Sequence, residues 1–111
     1  MHGLTPKNIA ITHGGDEGLR LAMTTFVDPG EHCLFEDPTY SLYSVLAGIQ
    51  NAKSLSIELN DDWSLPKDFA DRAVKSESKL TFIVNPHAPS GRFLTAKALS
   101  AIADSTPGVL L

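Results

Sequence analysis

Gly14 and Gly15, followed at once by Asp16 and Glu17, are the residues whose types and spacing first suggest chemistry. They stand between a short β-branched apolar run and a pattern in which Leu19, Met23 and Phe26 recur at helical spacing. A helix starting on such a turn leaves its first backbone amides without intrahelical acceptors, and the positive end of its dipole lies there too. Glycine lets that backbone come close to a ligand with no side chain in the way. Amides and dipole together make an anion cradle suited to phosphate. Gly-Gly-Asp before a helix is equally an ordinary tight turn with Asp16 as the N-cap, and short glycine motifs often occur by chance. Asp16 and Glu17 stand side by side as carboxylates, and in this position they read as helix-capping residues. His2, His13, His32, His87 and Cys33 lack any metal-ligand spacing, so no metal site is expected. His13, beside the glycines, reads as an ordinary turn histidine.

Those residues need elements to hold them, and the chain alternates between two kinds. Asn8 to Thr12 reads as a strand and Glu17 to Val27 as a helix. Asp28-Pro29-Gly30 is a turn, because proline presets one dihedral and glycine takes a conformation others avoid. His32 to Phe35 is a second strand. Thr39 can cap a helix running through Tyr40, Tyr43, Leu46 and Ala47, which Asn51 ends in a left-handed cap. Ser54 to Leu59 alternates as a strand does, and Pro66 suits the first turn of a helix carrying Phe69, Ala73 and Val74. Leu80 to Val84 is a continuous apolar run, which predicts a strand covered on both faces. Thr95 caps a last helix through Leu99 and Ile102, Pro107-Gly108 ends it, and Val109-Leu110-Leu111 begins another buried strand.

Strand and helix in repeated alternation imply an α/β fold: a mostly parallel sheet with helices on both faces. Ligands in such sheets bind beyond the carboxyl ends of the strands. The loops HGGDE, EDPTY and NPHAPSG would therefore meet along one edge. With 111 residues, 42% hydrophobic and 20% charged, the chain has the composition of one modest globular domain. Its net charge of −4 carries no basic cluster, so neither nucleic acid nor membrane is an expected partner. The amino terminus lacks the apolar core of a signal peptide, and the lone Cys33, inside a strand-like run, reads as a buried small hydrophobe. A reducing, cytoplasmic setting follows as the expectation. Val109-Leu110-Leu111 looks like the opening of a central strand, so residues 1–111 read as a piece of a larger domain.

The order GGDEGLRLAMTTFVDPGEHCLFEDPTYSLYSVLAGIQNAK and then NPHAPSG resembles the large-domain segment of fold-type I pyridoxal-phosphate aminotransferases, class I/II, from about Asn8 to Leu111. It is most similar to the histidinol-phosphate aminotransferases. The resemblance implies that the cofactor, pyridoxal 5'-phosphate, sets its phosphate on the loop of Gly14, Gly15 and Asp16. It implies too that Tyr40, in the Pro-Thr-Tyr motif, stacks on the pyridine ring; a tyrosine suits this because its face meets the ring while its hydroxyl reaches a polar group. Both Tyr40 and Tyr43 also read as core contacts of a helix start, the reading preferred for Tyr43. Residues 1–111 would be a partial cofactor-binding large domain with three α/β/α layers, from a homodimer acting on an amino acid and a 2-oxo acid.

The loop after LTFIV departs from the family pattern. An asparagine before Pro-Thr-Gly bonds the cofactor's phenolic oxygen in the family, and Ala88 stands there in this chain. Asn85 is the expected substitute; His87 is another, although as a loop histidine it is expected to face solvent. Pro86 and Pro89 restrict their neighbours and stiffen the loop. Transamination also needs a Schiff-base lysine and an acid opposite the ring nitrogen. Lys7, Lys53, Lys67, Lys75, Lys79 and Lys97 do not match that lysine and read as surface charge, so these residues alone are expected to be inactive and to contribute no catalytic residue. Two other readings keep the cradle: a related decarboxylase of phosphorylated amino acids, and a non-catalytic module that binds a phosphorylated ligand.

Overall fold

His32–Asp37 forms β1, an inner strand of a four-stranded parallel sheet, in a computed structural model that describes residues 3–111. The sheet order is β2-β1-β3-β4, where β2 is Lys53–Glu58, β3 is Leu80–Phe82 and β4 is Val109–Leu110. β1 runs in register with β2 from His32 opposite Lys53 to Asp37 opposite Glu58, and with β3 from Cys33 opposite Leu80 to Phe35 opposite Phe82. The apolar run read as a strand covered on both faces is β3, all three of its residues buried.

Alternation along β1 sends its side chains to two cores. Cys33 and Phe35 pack with Met23, Tyr43, Leu46 and Phe82 beneath α1 (Gly15–Phe26) and α2 (Leu42–Ile49). On the opposite face Leu34 packs with Ile57, Phe69 and Ala73 beneath α3 (Phe69–Ser76), joined by Ile102 of α4 (Ala96–Ser105). Helices thus cover both faces of a parallel sheet, as the alternating pattern predicts. Cys33 is fully buried, and burial pushes its thiol up to about 11.

Local signals hold in several places. Asn51 takes φ 55° after α2, and the Thr95 hydroxyl accepts the Ala98 amide at 3.2 Å to cap α4. Gly108 has φ 79°, and a Cβ there would overlap the Lys79 backbone.

Other expectations are corrected. Asn8–Thr12 is not a strand; Pro6–Asn8 is a single 3-10 turn, and Ile9 and Ile11 are 60% and 96% exposed. A β-branched apolar run alone cannot make a strand, which needs a neighbouring backbone to pair with, and none among the described residues lies beside this segment. Thr39 does not cap α2 and Tyr40 lies before it: Ser41 holds the N-cap without a side-chain bond, and the Thr39 hydroxyl turns to Glu36. α3 begins three residues after Pro66, whose carbonyl accepts the Phe69 amide at 3.0 Å. No helix among the described residues is long and apolar enough to cross a membrane.

Candidate functional site

The amino terminus of α1 is open. Its N-cap is Gly14 at φ 88°, a conformation that favours glycine, and no side chain caps the first turn. Asp16 is therefore not the N-cap expected of it; it lies inside the first turn. Glu17 reaches back instead, its carboxylate accepting the His13 backbone amide at 2.6 Å and lying 3.0 Å from His13 Nδ1. That backbone bond, then the His13 ring, hold its carboxyl below the usual range. The His13 side chain is 97% exposed, as a turn histidine should be. Thr12 Oγ1 donates to the Gly14 carbonyl at 2.8 Å and fixes the turn. A Cβ on Gly14 or Gly15 would meet nothing within 4 Å, so the space before the helix start is free.

Tyr40 joins this turn to the sheet edge. Its hydroxyl donates to the Asp16 carboxylate, 3.3 and 3.4 Å from the two oxygens. The Asp16 charge beside it holds the phenol above its ordinary pKa. Tyr40 is 47% exposed, and its ring packs at right angles to that of Tyr43, with centroids 5.9 Å apart. Tyr43 is a core residue, as expected, stacked on Phe82 at 4.3 Å. Tyr40 thus rests against one core aromatic, Tyr43, while about half of the residue stays accessible. Tyr40, Tyr43, Val84, Ala88 and Pro89 line one open cleft of about 520 Å³. The glycine turn and the loops after β1 and β3 therefore meet at one sheet edge, although no strand leads into the glycine turn.

The loop after β3 is held by its own residues. The Asn85 amide nitrogen donates to the Leu94 carbonyl at 3.2 Å and its oxygen accepts the Leu94 amide at 2.7 Å. Asn85 lines a separate, tighter cavity of about 170 Å³ with Trp63, Leu94 and Arg92 and does not line the Tyr40 cleft. His87 faces inward, 6% exposed, which corrects the solvent-facing reading. Its ring has a partner on each nitrogen: the Pro38 carbonyl at 2.9 Å and the Ser90 hydroxyl at 2.8 Å. Asn85-Pro86 and Ala88-Pro89 are cis peptides.

Sequence reasoning missed Glu36. It is 1% exposed, and its Oε1 accepts the Val84 amide at 2.7 Å and the Thr39 hydroxyl at 3.4 Å. Its Oε2 is buried without a partner among the described residues, and burial raises its pKa. The signal was present: a carboxylate at the end of the apolar run HCLF, two residues after the inward-facing Leu34, belongs on a buried face. All six lysines are exposed, and none lines the cleft. Among the described residues no three His, Cys, Asp or Glu side chains gather to hold a metal.

Comparison with known proteins adds three findings. A family model, Aminotransferase class I and II, matches residues 1–111. The histidinol-phosphate aminotransferase of Caldanaerobacter subterraneus subsp. tengcongensis is 31% identical over 109 residues, and that of Syntrophotalea carbinolica is 34% identical over 111. These matches cover 97% and 100% of this chain and 31% of each relative, so the chain spans about a third of their length. The crystal structure of histidinol-phosphate aminotransferase from Sinorhizobium meliloti, in complex with pyridoxal-5'-phosphate, superposes with a TM-score of 0.87 at 22% identity. That likeness, over 97% of this chain and 30% of the other, speaks for the fold.

Proposed function

The chain belongs to the class I and II aminotransferases, and from that premise we propose that it serves pyridoxal-phosphate-dependent transamination, with histidinol phosphate as the amino donor and a 2-oxo acid as the acceptor. The observation that carries this reading is the uncapped start of α1 beside the half-exposed ring of Tyr40. A phosphate needs unpaired amides and free space; Gly14, Gly15 and Asp16 offer both. A flat heteroaromatic ring needs a flat partner held from behind, and Tyr40, backed by Tyr43, is one. These features support a site for the two ends of pyridoxal phosphate, and the bond from Tyr40 to Asp16 joins them.

The bound cofactor supplies an electron sink for negative charge developing at the substrate's α-carbon. The residues of this chain bind and orient. The α1 amides hold the phosphate, Tyr40 fixes the plane of the ring, and the Ala88-Pro89 wall closes the far side of the cleft. The Ala88 side chain has no hydrogen to donate to a ring oxygen, and the Asn85 side chain holds the loop through Leu94. The proton-moving lysine belongs to another part of the protein, since all six lysines here are exposed and outside the cleft. Residues 1–111 form part of the cofactor-binding large domain on this reading. A homodimer and a cytoplasmic location accompany it as properties expected of the family. Support for the substrate comes from the names of the relatives at 31% and 34% identity.

The test is an amino-transfer assay of the native protein carrying this sequence, with histidinol phosphate, aromatic amino acids and aspartate as competing donors. Highest kcat/KM for histidinol phosphate is expected. Turnover with another donor alone would overturn the substrate, and no cofactor-dependent turnover at all would overturn the activity.

A further inference from the structure

Two buried polar side chains tie together the loops that form opposite walls of the Tyr40 cleft. Glu36 is the last residue but one of β1, on the same face of the sheet as Leu34, and its Oε1 accepts the amide of Val84, 48 residues away. The same oxygen accepts the hydroxyl of Thr39, next to Tyr40. Across the gap His87 returns the link. The Pro38 carbonyl can only accept, so His87 Nε2 carries the hydrogen that joins them, 49 residues apart. In a neutral ring Nδ1 then accepts the Ser90 hydroxyl, and Ser90 Oγ accepts the Arg92 amide at 3.2 Å. Tyr40 thus follows a segment anchored at residues 36, 38 and 39, while Ala88 and Pro89 sit between anchors at 84, 87 and 90.

The arrangement is expensive in a way that simple packing does not require. Glu36 keeps one oxygen without a partner, and a buried carboxyl with an orphan oxygen is disfavoured against an apolar side chain of like volume. Its bonds cross between two loops that carry site residues, where position matters more than stability. Resting on the reading of the cleft as the pyridoxal-phosphate site, we propose that Glu36 and His87 are positioning residues that set the separation between the Tyr40 ring and the Ala88-Pro89 wall.

The experiment measures cofactor affinity by absorbance titration of the native protein and of E36Q, E36L, H87Q and H87L. Hydrogen exchange of residues 38–41 and of α1, with the melting temperature, is followed alongside. Glutamine keeps the acceptor at 36 and a donor at 87, whereas leucine removes both. The expected result is affinity within threefold of wild type for the glutamine variants and at least tenfold weaker for the leucine variants. Exchange should quicken in residues 38–41 of the leucine variants and stay unchanged in α1. If E36L does not fold, H87L decides, since its bonds lie in the loops rather than under the sheet. Folded leucine variants that bind within threefold of wild type would overturn the assignment alone. A wild-type protein that takes up no pyridoxal phosphate would overturn the reading of the cleft, and the assignment with it.

Discussion

Tyr40 meets two demands with one side chain: its hydroxyl is bound at Asp16, and its ring is presented to the cleft. The hydroxyl bond is long and exposed, whereas the ring area is what a flat ligand would meet. Tyr40→Phe is therefore expected to weaken pyridoxal phosphate binding less than threefold, and Tyr40→Ala by about tenfold, or ~1.4 kcal/mol, the upper range for an aromatic pair. Absorbance titration checks both values, and equal losses in the two variants would place the contribution in the hydroxyl. Single residues were legible where local chemistry settles their state. Cys33 is buried, Tyr43 is core, and the lysines are exposed, each as its surroundings in the chain suggest. His87 was not, because its partner Pro38 lies 49 residues away. Nothing in a proline-rich loop announces which way its histidine turns.

Elements follow the same division. Strands that pair within the sheet and helices with strong apolar faces were readable, and so was the Thr95 cap. The segment Asn8–Thr12 reads as a strand from its β-branched apolar residues, yet no described backbone pairs with it. Two element ends carry predictions. Gly108 sits where a Cβ would run into the Lys79 backbone, at a positive φ. Gly108→Ala should therefore cost about 3 kcal/mol, read as a lower urea midpoint. At the end of β1, burial raises the pKa of Glu36 above its ordinary 4.5. The folded protein then keeps a proton that the unfolded chain gives up, so this contribution is complete below pH 4.5 and is lost as pH rises through the folded pKa. Glutamine does not titrate, so the urea midpoint of Glu36→Gln should gain on wild type as pH rises above 4.5. Parallel pH curves for the two proteins would contradict a buried proton at Glu36.

For the whole molecule, the parallel sheet brings three loops to one edge, and their contents make sense together. An open helix start, an accessible tyrosine and a clamped proline-rich wall answer to a phosphate, a ring and a fixed gap. The sheet was legible because each strand carries its own apolar signal. The clamp was not, since it exists only once β1 and β3 lie side by side. The central claim is that the α1 amides hold a phosphate, and comparing two ligands that differ by that group tests it most directly. The native protein is titrated with pyridoxal phosphate and with pyridoxal, following the absorbance of each. At least hundredfold tighter binding of the phosphorylated form is expected, with Gly15→Pro, which removes one amide hydrogen, narrowing the gap. Equal affinity for the two forms would mean that the glycine turn is only a turn, and the account of the site would fail.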